Sequence, residues 1–129
     1  MVLPRISALY AALLAAVFLT LSLRVALTRW RRQEYLGQGD ELLARQIRAH
    51  ANFAENVPFA LLLLAFGEAM GAQAILVHGL GGVLLCSRVL HAYGVSKQPE
   101  PILMRVVGYT LTCVVIGAAA LLIVYRWFA

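Results

Sequence analysis

Charged residues are scarce in this sequence, and acidic ones are the scarcest. Of its 129 residues 13% are charged, with six Asp or Glu against eleven Lys or Arg. Its two cysteines, Cys86 and Cys113, lie inside apolar runs without disulfide or metal-ligand spacing, and we interpret both as small buried hydrophobic residues. The sequence also lacks a phosphate loop and a nucleophile triad. These absences argue against a metal cofactor, and basic charge is the only feature that would favour nucleic acid binding.

Apolar residues dominate instead, at 62% of the chain, and the mean hydropathy is +0.81. An ordinary soluble domain of this length is less apolar. Four blocks approach the ~20 residues that a helix needs to cross a bilayer. We therefore predict an all-α integral membrane protein, a single domain over residues 1–129 with four transmembrane helices at residues 6–28, 41–70, 72–93 and 102–128. The first block resembles a signal peptide, but it ends in arginines rather than at a small-residue cleavage site.

The connections between the blocks differ in charge, which predicts the topology. Gly37 and Gly39 indicate a turn before Asp40, a helix-capping residue, and Gly71 is expected to end the second helix. The third connection is predicted at residues 94–101. Basic residues concentrate in and around the first and third connections, so the positive-inside rule places both in the cytoplasm and both termini on the opposite side.

One helical face carries polar residues where the second block enters the apolar region. In the string RAHANFAENVP, Arg48, Asn52 and Glu55 fall within a narrow arc at about 100° per residue. Polar groups at the edge of hydrocarbon are costly unless they face protein or water, so they are functional candidates. A structural polar network, such as an ion pair between subunits, remains an alternative interpretation.

Further polar residues are expected at the same end of the bundle. Arg88 and His91 share a face of the third helix, and Arg105 and Tyr109 share a face of the fourth. Together with Arg45 they predict a cleft with several arginines and a single nearby carboxylate, Glu55, which would bind an anion. Glutathione fits, among several anionic amphiphiles, because arginines bind its carboxylates and a carboxylate binds its α-amino group.

The strings RAHANFAENVP, RVLHA and RVVGY resemble the family of membrane-associated proteins in eicosanoid and glutathione metabolism, MAPEG, over nearly the whole chain. The resemblance implies a left-handed four-helix bundle that assembles as a homotrimer, with glutathione as cosubstrate between subunits near the cytoplasmic face. It implies that Arg105 stabilises the thiolate and that Arg48, Asn52, Glu55, His91 and Tyr109 bind glutathione. Arg29 or Arg31 of the first helix is expected to reach the site, and Arg29 is taken as the candidate.

The expected function is a membrane-bound glutathione transferase, of bacterial type and in the inner membrane, with peroxidase activity toward lipid hydroperoxides as an extension. Its second substrate would be a lipophilic electrophile arriving from the bilayer lipid. Two departures from the family pattern keep a second hypothesis open, a non-catalytic scaffold that binds lipid or glutathione. Val95 stands where several members have a tyrosine, and Val106 stands where one branch has a serine. A small transporter is disfavoured because no inverted repeat is present.

Polar residues elsewhere receive structural interpretations. His50 points away from the face of Arg48 and is expected either to support the site residues from behind or to be interfacial. Glu68 is predicted to be solvated in the turn after the second helix. Gly79, Gly81 and Gly82 are expected to allow close packing of helices.

Overall fold

The helices of this computed structural model follow the apolar blocks of the sequence. The structure describes residues 3–129, so residues 1–2 of the predicted domain lie outside it. Four helices, α1 (Arg5–Arg32), α2 (Glu41–Ala69), α3 (Ala74–Ser96) and α4 (Ile102–Phe128), account for nearly all of this part of the chain. The all-α class is confirmed. Two predicted bounds were short, since α1 runs four residues further and α3 continues through Gly94, which had been assigned to a loop.

The residues that the sequence predicts at helix ends and turns have those roles in the structure. Asp40 caps α2, accepting a hydrogen bond from the Leu43 amide at 3.0 Å. Gly37, Gly39 and Gly71 all have positive φ, the conformation that glycine adopts at no steric cost. Arg32 forms an ion pair with Asp40 across the first connection. The polar segment between the first two apolar blocks forms only a short loop, residues 33–40, because α1 and α2 include most of its residues.

Three of the four helices, α1, α3 and α4, are long and apolar enough to cross a membrane. α2 has similar length, but its first half carries the polar residues of the RAHANFAENVP string and makes it less apolar. It nevertheless contacts each of the other three helices. These elements are consistent with a membrane helical bundle, while the fourth crossing and the placement of loops and termini remain predictions.

The core lies along the inner face of α2. Ala49, Phe53, Val57, Ala60 and Leu64 are buried there at helical spacing and pack against apolar residues from the other helices. His50, on the α1 side, packs against Phe18 with ring centroids 4.9 Å apart. Large apolar side chains also cover much of the outer surface, as lipid or a neighbouring subunit would require. Cys86 and Cys113 lie on this outer surface, so their predicted burial was wrong for the single chain.

The prediction for Glu68 was wrong. This carboxylate is buried, and it accepts hydrogen bonds from the backbone amides of Ile6 and Ser7 at 2.8 Å and from the Ser7 hydroxyl at 2.7 Å. The first amides of a helix have no partner within the helix. Glu68 accepts from two of these amides, so hydrogen bonds join the end of α2 to the start of α1.

Close packing at a glycine holds α1 against α3 near the end of the bundle that carries Glu68. The Tyr10 ring lies against Gly81 so closely that a side chain there would collide with it, and its hydroxyl donates to the His78 carbonyl at 3.0 Å. The close-packing role is therefore confirmed for Gly81. Gly79 faces open space, and its predicted packing role was wrong within the single chain.

Candidate functional site

A cleft of about 420 Å³ opens between α2, α3 and α4 at the end of the bundle that carries the first and third connections. Six of the predicted site residues meet there. α2 contributes Arg48, Asn52 and Glu55, α3 contributes His91, and α4 contributes Arg105 and Tyr109. The predicted convergence of these residues is thus observed in the structure.

The α2 wall pairs an arginine with a carboxylate, two helical turns apart. Arg48 Nη1 lies 4.0 Å from Glu55 Oε1, and both side chains are largely exposed. Such an exposed pair is worth little stability, so it competes weakly with a ligand. Asn56 stands beside them and donates to the Asn52 carbonyl at 2.8 Å. The two opposite charges therefore stay accessible from the cleft.

Glycines bring the α3 and α4 walls into direct backbone contact. A Cβ at Gly108 would lie 2.7 Å from both the Ser87 carbonyl and the His91 amide, and one at Gly94 would lie 2.7 Å from the Arg105 amide. Any larger residue would separate the helices. This contact places Tyr109 beside His91, with ring centroids 6.4 Å apart.

A buried arginine stands behind the wall. Arg88 is fully buried, and it donates to Asn52 Oδ1 at 2.7 Å, to Thr112 Oγ1 at 3.1 Å and to His91 Nδ1 at 3.2 Å. Its guanidinium also lies over the Phe53 ring, 5.8 Å from the centroid. Arg88 thereby links the three helices that form the cleft.

A second carboxylate borders the cleft, contrary to the expectation that Glu55 was the only one nearby. Glu100 Oε1 lies 2.7 Å from Arg105 Nη1, and Glu100 Oε2 lies 3.0 Å from Arg45 Nη1. The hydrogen bonds from Arg105 and then Arg45 hold the pKa of the Glu100 carboxyl below its usual range. Sequence spacing missed this pairing because it depends on how the loop before α4 folds back toward α2.

The sequence matches the MAPEG family over residues 7–125. This chain belongs to the MAPEG family. It is also similar to the inner membrane protein YecN of Escherichia coli K12, with 39% identity over 90 residues that cover 69% of each chain. YecN of Escherichia coli O6:H1 matches to the same extent. Family membership confirms the resemblance found in the sequence.

In this MAPEG protein three predicted site residues, Arg29, Arg45 and Arg88, are not among those lining the cleft. Arg88 lies behind it, as described. Arg29 donates to the backbone carbonyls of Glu34 at 3.1 Å and Gly37 at 2.8 Å, so it supports the first connection. Arg45 lies in an adjoining groove shared with Arg48 and Arg105, where it pairs with Glu41 at 2.9 Å and with Glu100.

Three residues of the lining were not predicted as binding residues: Asn56, Val95 and Val106. Asn56 follows Glu55 in the motif and could have been found as another amide in an apolar segment. Val95 and Val106 mark the two departures from the family pattern, and both face the cleft. Tyr93 cannot replace the tyrosine missing at Val95, because it lies on a different groove beside Lys97, whose amino group is 5.1 Å from its ring centroid. Among residues 3–129, no cluster of three or more potential metal ligands occurs.

Proposed function

We propose that this MAPEG protein binds glutathione in the cleft and conjugates it, through its thiol sulfur, to lipophilic electrophiles. The observation that carries the proposal is the meeting of Arg48, Asn52, Glu55, His91, Arg105 and Tyr109 around one cleft. Its cations suit the two carboxylates of glutathione, and Glu55 suits the α-amino group. Arg48 and Asn52 contribute to binding alongside Glu55, His91 and Tyr109.

Arg105 is the proposed catalytic residue. Its guanidinium stabilises the thiolate of glutathione by charge, while the thiol proton leaves to solvent. The thiolate then attacks the carbon of an electrophile such as chlorodinitrobenzene, forming a carbon–sulfur bond and releasing chloride. With a lipid hydroperoxide, reduction to the alcohol would consume two glutathione molecules and yield the disulfide and water.

The membrane setting follows from the apolar surface and the relatives. Three helices can cross a membrane, and the similar Escherichia coli protein is described as an inner membrane protein. We place this protein in the inner membrane of a bacterium, with the cleft on the cytoplasmic side and both termini opposite. We further propose a homotrimer in which the open side of the cleft faces a neighbouring subunit, and a lipophilic second substrate that enters from the lipid.

Calorimetry with glutathione and detergent-purified protein tests the binding step. Saturable binding in the native protein, lost in Arg48→Ala, is the expected result. Arg5→Ala is the control, because it removes an exposed arginine at the opposite end of the bundle that does not line the cleft, and it should bind normally. Thiolate absorbance and conjugation of chlorodinitrobenzene test the chemistry, and their absence despite binding would exclude the transferase.

The competing function is a non-catalytic scaffold that binds lipid or glutathione. Val95 and Val106 favour it, because both face the cleft where polar groups would otherwise act on a ligand. Tight lipid binding that is independent of glutathione, in a protein that does not bind glutathione, would select this function.

A further inference from the structure

The hydrogen bonds of Arg88 determine which atoms the cleft wall offers to a ligand. A guanidinium can only donate. Since Arg88 Nη2 lies 3.2 Å from His91 Nδ1, that nitrogen must be the acceptor and carries no proton. The proton of the neutral imidazole is then on Nε2. His91 is buried apart from its edge on the cleft, so its remaining nitrogen is a donor.

The same argument applies to Asn52. Its side-chain oxygen accepts from Arg88 Nη2 at 2.7 Å, which leaves the amino group as the polar edge for the cleft. Its backbone carbonyl is also occupied, by Asn56 Nδ2 at 2.8 Å. Two neutral side chains that can each donate or accept are therefore both turned into donors by one buried arginine.

The other contacts of Arg88 make this arrangement specific. Its Nη1 is held by Thr112 Oγ1, which in turn donates to the Gly108 carbonyl at 3.0 Å. Its Nε is buried and has no hydrogen-bond partner among residues 3–129. The groups around it are neutral: Asn52, His91, Thr112 and the Phe53 ring. Burying an arginine without a carboxylate is costly, and its position at the back of the cleft gives that cost a functional explanation.

We propose that Arg88 is a positioning residue that makes the Asn52 and His91 wall a donor surface, selective for a hydrogen-bond acceptor such as a ligand carboxylate or peptide carbonyl. The identity of that ligand as glutathione rests on the proposed function. The state of His91 and Asn52 does not, because it is built into the protein before any ligand binds.

Nitrogen NMR of histidine side chains tests the first half in the ligand-free, detergent-solubilised protein. The chain has three histidines, and His91→Gln identifies the signal of His91. The native protein should show the Nε2–H tautomer. Arg88→Met removes every donor at similar length, and should move His91 toward the Nδ1–H form or a mixture. A native Nδ1–H tautomer, or an unchanged tautomer in a folded Arg88→Met protein, would overturn the proposal.

Asn52→Asp tests the second half and does not depend on removing Arg88. Asp keeps an oxygen for Arg88 but replaces the amino group at the cleft with an acceptor. Glutathione affinity should fall roughly tenfold or more, while the Nε2–H tautomer of His91 persists. Asn56→Asp adds the same charge to the same wall without touching Arg88, and its loss should be several-fold smaller. Equal losses would mean that charge alone acts and would overturn the donor assignment.

These measurements separate the two proposals. If the native protein does not bind glutathione, the proposed function fails, and the tautomer of His91 still decides the role of Arg88. If glutathione binds but the tautomer is Nδ1–H, the function stands and the role of Arg88 is wrong.

Discussion

Glu100 forms ion pairs with two arginines that a ligand would need. One of its carboxylate oxygens contacts Arg105 and the other contacts Arg45, so the proposed catalytic cation is paired when no ligand is bound. A glutathione thiolate or carboxylate would have to compete with this internal carboxylate. Single side chains at the rim can therefore adjust affinity without changing the cleft itself.

Glu100→Gln should strengthen glutathione binding several-fold at low salt, because the neutral amide competes less for Arg105 and Arg45. The gain should shrink as salt screens the charges. Calorimetry across a salt series measures it. Glu41→Gln is the control, since Glu41 pairs with Arg45 but not with Arg105, and its gain should be smaller. Weaker binding in Glu100→Gln would contradict the competition.

Acid should weaken the same contacts. The Glu100 carboxyl has a lowered pKa in the folded protein, through Arg105 first and Arg45 second. Its stabilising effect is therefore present above the unfolded pKa and disappears as pH falls through the lower folded pKa. Thermal unfolding followed by circular dichroism should show a steeper loss of stability in acid for the native protein than for Glu100→Gln. Parallel pH profiles would show that these ion pairs add nothing.

Substitutions of Arg105 and of Glu55 should impair different properties, turnover for Arg105 and glutathione affinity for Glu55. Arg105→Ala should reduce turnover of chlorodinitrobenzene more than glutathione affinity, because its proposed role is to stabilise the thiolate. Glu55→Ala should weaken binding first, because it would lose the partner of the ligand's α-amino group. Steady-state kinetics beside calorimetry separate the two effects. Equal loss of both properties in each variant would indicate general destabilisation.

At the scale of secondary structure, the contact between α3 and α4 builds the site. Gly108→Ala would place a methyl group against the backbone of Ser87 and His91 and separate the helices, at a cost of about 1–3 kcal/mol. Thermal unfolding and glutathione affinity should both decline. Gly117→Ala is the control on the same helix, where a Cβ meets nothing within 4 Å. A Gly108→Ala protein as stable as Gly117→Ala would contradict the close contact.

The sequence predicts the elements well because their signals are local. Apolar blocks, the Asp40 cap and the positive-φ glycines all act within a few residues. The α2 face of the site, Arg48, Asn52 and Glu55, was equally accessible, because helical spacing alone places those residues together. Their meeting with His91, Arg105 and Tyr109 followed once helices of similar length were packed side by side.

What the sequence could not predict depends on contacts between distant residues. The burial of Glu68 requires that the start of α1 lie beside the end of α2. The pairing of Glu100 with two arginines depends on the path of a five-residue loop. The position of Arg88 behind the wall depends on the rotation of α3, which the weakly patterned, largely apolar sequence of that helix does not specify.

At the scale of the whole molecule, the two ends of the bundle serve different purposes. One end holds the cleft, with its cations and amides. The other end holds Glu68, which connects α1 to α2 through three hydrogen bonds. The cleft and the hydrogen bonds that join α1 to α2 thus lie at opposite ends of the helices.

Removing hydrogen bonds to Glu68 should lower stability in steps. Ser7→Ala removes one hydrogen bond, and Glu68→Ala leaves buried amides unpaired, which costs roughly 1–3 kcal/mol per unsatisfied group. Thermal unfolding should rank Glu68→Ala below Ser7→Ala and both below the native protein. Glutathione affinity of the folded fraction should be unchanged in each. A loss of affinity as large as that of Arg48→Ala would show that the two ends are coupled.

The Glu68 contact also affects the order in which contacts between the helices form during synthesis. Ile6 leaves the ribosome 62 residues before Glu68, so the first amides of α1 lack this partner throughout synthesis of α2. Unpaired amides are not tolerated in hydrocarbon, which keeps the start of α1 near water during that interval. The contact that holds the start of α1 against the end of α2 therefore forms only after Glu68 has been synthesised, and a chain that stops before Glu68 would lack it.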